Sequence, residues 1–71
     1  MEDEDYLKKL GKNIVEIRTM KKISQVGLSD LCGFEKSNMN RIEAGKTSPT
    51  IKTLLKIAKA LDIELKDLFD F

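Results

Sequence analysis

The segment Lys36 to Glu43 gathers polar side chains that the rest of the sequence does not collect in one place. Wound as a helix at about 100° per residue from Lys36, it splits into two faces. Lys36, Ser37, Asn40, Arg41 and Ala44 fall between roughly 0° and 140°, while Met39 and Ile42 fall near about 300° and 240°. One face is apolar and turns inward. The other offers a lysine, a serine, an asparagine and an arginine. Arg and Lys donate to guanine, Asn pairs with adenine and Ser bonds to either, so this set matches the hydrogen-bonding edges of bases in a major groove. The alternative is an ordinary solvated face, which more often carries Glu.

A short helix before this segment would position it. Ser24 offers an N-cap oxygen. Leu28 and Leu31 face inward, with Cys32 near the end, and Gly33 marks a stop in the left-handed conformation. Gly27 inside this helix costs about 1 kcal/mol relative to alanine. Two short helices joined by a glycine-containing turn form a helix-turn-helix unit, whose second helix reads DNA. An αα-hairpin in any helical bundle shows the same pattern. In the DNA reading, the first helix aims its N-terminal amide groups, with Ser24 and Gln25, at a phosphate. Gly45 ends the second helix, and Lys46, Thr47 and Ser48 reach the other flank before Pro49. Such contacts position a protein and carry no sequence information. Lys52 and Lys56 extend this footprint or are simply exposed.

The remaining elements build the scaffold. Residues 6–22 read as a helix, with Leu7, Leu10, Ile14 and Ile17 in one stripe and Lys21 and Lys22 at its end. Thr50 caps a helix that runs to about Leu61. Its stripe is Leu54, Ile57, Ala58 and Leu61, supported by Ile51 and Leu55. Glu64 to about Asp70 reads as a short fifth helix, with Leu65, Leu68 and Phe69 apolar. No segment alternates as a strand does. The expected fold is all-α, a five-helix bundle spanning 6–71 behind an acidic, mobile tail at 1–5.

Composition narrows the function. The chain has 71 residues, a net charge of +1 and no His. Cys32 is its one cysteine. It contains no phosphate loop, no paired-carboxylate pattern and no metal-ligand cluster, so no enzyme, cofactor or metal is expected. No apolar run approaches the ~18 residues of a membrane span. The near-neutral total hides a partition. Residues 1–5 carry −4, residues 8–59 carry +8 and residues 60–71 carry −3. A basic middle is a phosphate-binding footprint or a solvated surface.

Several stretches of the chain resemble the Cro/CI-type helix-turn-helix family of phage repressors, xenobiotic-response-element-like regulators and restriction-modification controller proteins. They are Ser24-Gln25, Leu28, Leu31, Gly33-Phe34, Met39, Arg41 to Lys46, Pro49, Thr53-Leu54, Ile57 to Leu61 and Leu68-Phe69. The likeness runs from about Leu10 to Phe69. It implies a lambda-repressor-like bundle that binds double-stranded operator DNA, usually as a dimer, in a bacterial or phage-encoded cytoplasmic regulator. It also implies that Gln25 grips a phosphate, that Lys36, Ser37, Asn40 and Arg41 face bases, and that Asn38 touches backbone from the edge. Arg18 and Glu43 match positions that often pair between the first and third helices.

Three positions depart from the pattern. Gly27 stands where Glu often completes a capping box. Glu35 replaces a Ser or Thr cap and would repel nearby phosphates. Asp62 replaces a glycine where a left-handed residue is needed. Phe69 and Phe71 exceed what a small core needs, so a dimer seam near helix five is one expectation; completion of the core by Phe69 and fraying of Phe71 is the other. The start at Met1 and the stop after helix five suggest a complete small regulator. The competing function is a protein-interaction module, adaptor or antitoxin-like, that keeps the fold without DNA binding.

Overall fold

The computed structural model describes residues 3–71. They form helices α1 (Asp3–Met20), α2 (Gln25–Cys32), α3 (Lys36–Glu43) and α4 (Ile51–Ala60), then a 3-10 turn at Leu65–Phe69. No strand occurs among the described residues. α1 packs on α3, α2 and the 3-10 turn, and α2 packs on α3 and α4. The helix with the polar face is therefore held between α1 and α2.

α1 begins earlier than expected. Asp3, Glu4 and Asp5, read as part of a tail, form its first turn, where their carboxylates suit the positive pole of the helix dipole. Met1 and Glu2, the rest of that tail, lie outside the described residues. All four helices stop in the same way. The residue after the last turn takes a positive φ, and two backbone amides fold back onto the final carbonyls. At α3, Gly45 has φ 73°, with Gly45 N donating to Ile42 O and Lys46 N to Arg41 O. Gly33 and Asp62 do the same after α2 and α4, at φ 73° and 59°. Lys22 does it after α1, at φ 62°, so α1 ends at Met20 and Lys22 forms the turn.

The N-caps differ in strength. Ser24 Oγ accepts from Gly27 N at 2.9 Å, and Thr50 Oγ1 accepts from Thr53 N at 3.2 Å. Glu35 precedes α3 without a side-chain cap bond. The fifth element closes as a 3-10 turn rather than an α-helix. Asn13 Nδ2 reaches from α1 and donates to Asp67 O and Leu68 O at 3.1 and 2.7 Å, while Asp67 Oδ2 accepts from Glu64 N at 3.0 Å.

The core joins Leu10 and Ile14 of α1, Leu28 and Cys32 of α2, Met39 and Ile42 of α3, Leu54, Ile57 and Ala58 of α4, Leu61, and Leu68. Leu7, expected in the stripe of α1, is half-buried and outside it, and three more expected core residues are exposed. Leu31 is 63% exposed because α2 turns Leu28, Cys32 and Ser29 inward, and Ser29 Oγ satisfies itself on Val26 O at 2.8 Å. Ile51 and Leu55 are 58% and 50% exposed. They lie about 70° and 110° round α4 from the centre of its buried stripe, beyond the reach of the core. Phe69 packs against the core, and Phe71 sets its ring edge-on to Tyr6, centroids 5.2 Å apart.

Candidate nucleic-acid interface

The partition of α3 follows from what flanks it. Met39 and Ile42 are buried, at 0% and 3% exposure, because α1 and α2 close over that side. The opposite side meets solvent. Lys36, Ser37, Asn40 and Arg41 are all exposed, and none of their side chains takes part in the side-chain hydrogen bonds or ion pairs of the described residues. The four line one shallow, open depression together with Gln25. Four donors from one helix and an amide from another thus converge on a single solvent-filled concavity. An unpaired Lys, Ser, Asn and Arg can exchange water for the acceptors and donors of base edges without first breaking a protein bond.

The helix behind the depression is tied to its neighbours through Glu43. Its Oε2 accepts from Arg18 Nε at 2.7 Å, and its Oε1 accepts from Arg18 Nη2 at 3.0 Å and from Gln25 Nε2 at 2.9 Å. Arg18 Nη1 also donates to Ile23 O at 3.2 Å. One carboxylate on α3 therefore ties α1, α2 and the turn between them. The Arg18 and Glu43 side chains are 15% and 5% exposed. The hydrogen bonds that Arg18 donates to Glu43 hold its guanidinium above its ordinary pKa, against the desolvation that opposes its charge. Both Arg18–Glu43 contacts are direct and run in parallel, the fork-to-carboxylate geometry that orients as well as attracts.

Two glycines let the helices approach. A Cβ on Gly11 would collide with Glu43 O and stand 2.7 Å from Ile42 O. Backbone of α1 thus lies directly on the last turn of α3. A Cβ on Gly45 would stand 2.7 Å from Lys8 Cα, so the turn after α3 presses against α1 as well. Sequence reasoning passed over Gly11, although a glycine inside a helix is a signal: it costs about 1 kcal/mol against alanine and implies a compensating close contact.

The remaining candidates are placed as follows. Ser24 is exposed at the N-terminus of α2, where the amides of the first turn have no helical partner and favour an anion. Gln25, expected on a phosphate, spends one amide hydrogen on Glu43. Asn38 is half-buried and lies outside the depression. Lys46 and Ser48 are exposed and Thr47 half-buried, in the loop beyond Gly45. No helix among the described residues is long and apolar enough to cross a membrane.

This arrangement has relatives. The helix-turn-helix family (HTH_3) matches residues 14–68. The restriction-modification controller protein C.AhdI from Aeromonas hydrophila superposes with a TM-score of 0.86 at 40% identity, over 89% of this chain and 96% of that one. The HTH-type transcriptional regulator PuuR of Escherichia coli is 37% identical over 59 residues, 83% of this chain but 32% of that protein. Multiprotein-bridging factor 1 of Candida glabrata is 35% identical over 57 residues, 80% of this chain and 38% of that protein. The chain thus spans about a third of the length of these last two. On its matched residues and on the architecture built from them, the chain belongs to the Cro/CI-type helix-turn-helix family.

Proposed function

We propose that the protein is a transcriptional regulator that binds double-stranded DNA sequence-specifically, as a homodimer on a palindromic operator, with α3 in the major groove. The observation that carries this reading is the convergence of exposed, unpaired Lys36, Ser37, Asn40 and Arg41 on a helix whose other side is tied down. Pre-ordering matters here, because side chains on a fixed helix lose less freedom when they meet the bases. α2 crosses the sugar-phosphate backbone and gives a phosphate its N-terminal amides and Ser24. Gln25 still has a second amide hydrogen for that phosphate while it holds Glu43. Lys46, Thr47 and Ser48 serve the far flank, and Asn38 the near edge. In a dimer, two copies of α3 would enter successive major grooves about 34 Å apart. Regulation then follows from occupying the operator, in the cytoplasm of a bacterium or of a phage host.

A second reading is an adaptor that keeps the fold and contacts protein instead. The likeness to a multiprotein-bridging factor and Glu35 beside the groove face favour it. Fluorescence anisotropy with labelled duplexes, across a salt series, separates the two. The regulator reading expects a steep loss of affinity with salt, each neutralised phosphate adding about −0.9 to the log–log slope, and a preference for one site of about 10³ or more over random DNA. Binding without preference at moderate salt supports the adaptor.

A further inference from the structure

α1 reverses its charge along its length. Asp3, Glu4 and Asp5 form its first turn, and Lys8, Lys9 and Lys12 follow. The helix runs unbroken from Asp3 to Met20, so this order of charges is fixed in space.

The basic stretch lies against the end of α3. A Cβ on Gly45 would stand 2.7 Å from Lys8 Cα and 2.8 Å from Lys8 N, so the turn that closes α3 rests on the backbone of this lysine. Gly11, one turn further along the same side of α1, faces the main chain of Ile42 and Glu43. Lys46, Thr47 and Ser48 follow Gly45 directly. Lys8 therefore shares a flank with that loop, although it stands on another helix. Lys8 and Lys46 are both exposed, and neither pairs with a carboxylate among the described residues. Lys9 points elsewhere, about 100° round the helix from Lys8. It lines a separate depression with Glu16, Asp70 and Phe71, beside the end of the 3-10 turn.

Uncompensated cations on one flank raise the local potential and attract an anion. This flank continues the side of the groove-facing helix, so the anion closest to it is the DNA strand assigned above to Lys46. The sign reverses at Glu4, four residues before Lys8 and about 6 Å further along the axis. A phosphate beyond Lys8 would be repelled. The patch thus suits the edge of a contact rather than a broad anionic surface such as a membrane.

We propose that Lys8 binds a backbone phosphate, the neighbour of the one taken by Lys46, and that the acidic first turn of α1 ends the contact there. α1 then joins α2 and α3 in holding the duplex, with a contact that positions the protein and reads no base. This rests on the DNA-binding reading above and widens it.

Fluorescence anisotropy of the full chain on its preferred duplex and on a random duplex, each across a salt series, tests the site. Lys8→Ala is expected to weaken binding by the same factor on both duplexes. It should also make the log–log salt slope shallower by about 0.9, the share of one phosphate. Lys9→Ala, on the other side of the helix, keeps the wild-type slope. Replacing single phosphates of the preferred duplex by neutral methylphosphonate locates the partner: at one position per half-site the change costs the wild type affinity and costs Lys8→Ala none. Circular dichroism melts check folding, and Lys8→Gln, which keeps part of the stem, serves if Lys8→Ala is unstable. A Lys8 variant with the wild-type slope, or a Lys9→Ala chain that loses as much, overturns this site and leaves sequence-specific binding standing. A wild-type chain that binds no duplex overturns the two readings together.

Discussion

On one side of α3, Lys36, Ser37, Asn40 and Arg41 are exposed and bonded to nothing else in the described chain. On the other, Met39 and Ile42 are buried, Glu43 accepts three hydrogen bonds and Gly11 brings backbone onto backbone. The same eight residues thus hold two kinds of position. Substitutions on the open side change what the helix can read while the fold stays the same. Substitutions on the tied side move the whole helix, and with it every contact at once. A 1.5 Å rise per residue leaves little tolerance: a displacement of that size shifts the register of all four readers.

Four substitutions break or sharpen this contrast. Gly11→Ala should act most strongly. Its methyl would meet main-chain oxygen rather than a flexible side chain, so α1 and α3 must separate, at a cost of about 3 kcal/mol. Denaturant unfolding measures it, and a neutral result would mean that α3 is loosely seated. Glu43→Ala comes next. It leaves Arg18 without its carboxylate and Gln25 without an acceptor; a loss of about 2 kcal/mol is expected, less than for a fully buried pair because Arg18 keeps some solvent. Lys22→Gly should stabilise by about 1 kcal/mol, since glycine adopts the left-handed turn after α1 without the lysine's strain. Thermal melting checks the direction, and DNA selectivity should stay unchanged because Lys22 lies in the turn after α1, outside α3. Lys36→Ala, on the open side, should change stability by less than about 0.5 kcal/mol, within the ordinary range of surface changes. A larger loss in the same melts would contradict the division.

The sequence made the open side of α3 legible because polar and apolar residues separate cleanly at helical spacing. The cap at Ser24 and the left-handed Gly33 were legible too, since those residue types carry local backbone preferences, while the left-handed position at Asp62 was legible through family likeness. Lys22 was not, because lysine announces no such preference. Periodicity located the stripes of α2 and α4 but not their edges. Leu31, Ile51 and Leu55 all fit a wide apolar stripe, and only the packing of neighbouring helices shows that the core stops short of them. In α2 the inward place goes instead to Ser29, a polar residue that bonds its own helix. The carboxylate of Glu43 was placed opposite Arg18 by family likeness, but its bond to Gln25 depends on how α2 crosses α3, which no spacing records.

The central claim is that the open side of α3 reads bases. Selection of bound duplexes from a random pool, sequenced in parallel for the wild type and Arg41→Ala, tests it most directly. The account predicts one enriched palindromic site for the wild type, and for Arg41→Ala the same site with its preference relaxed at one base pair per half-site, a loss of about 1–3 kcal/mol there. No enriched site, or an Arg41→Ala profile that keeps every preference and loses affinity equally on all sequences, would contradict it.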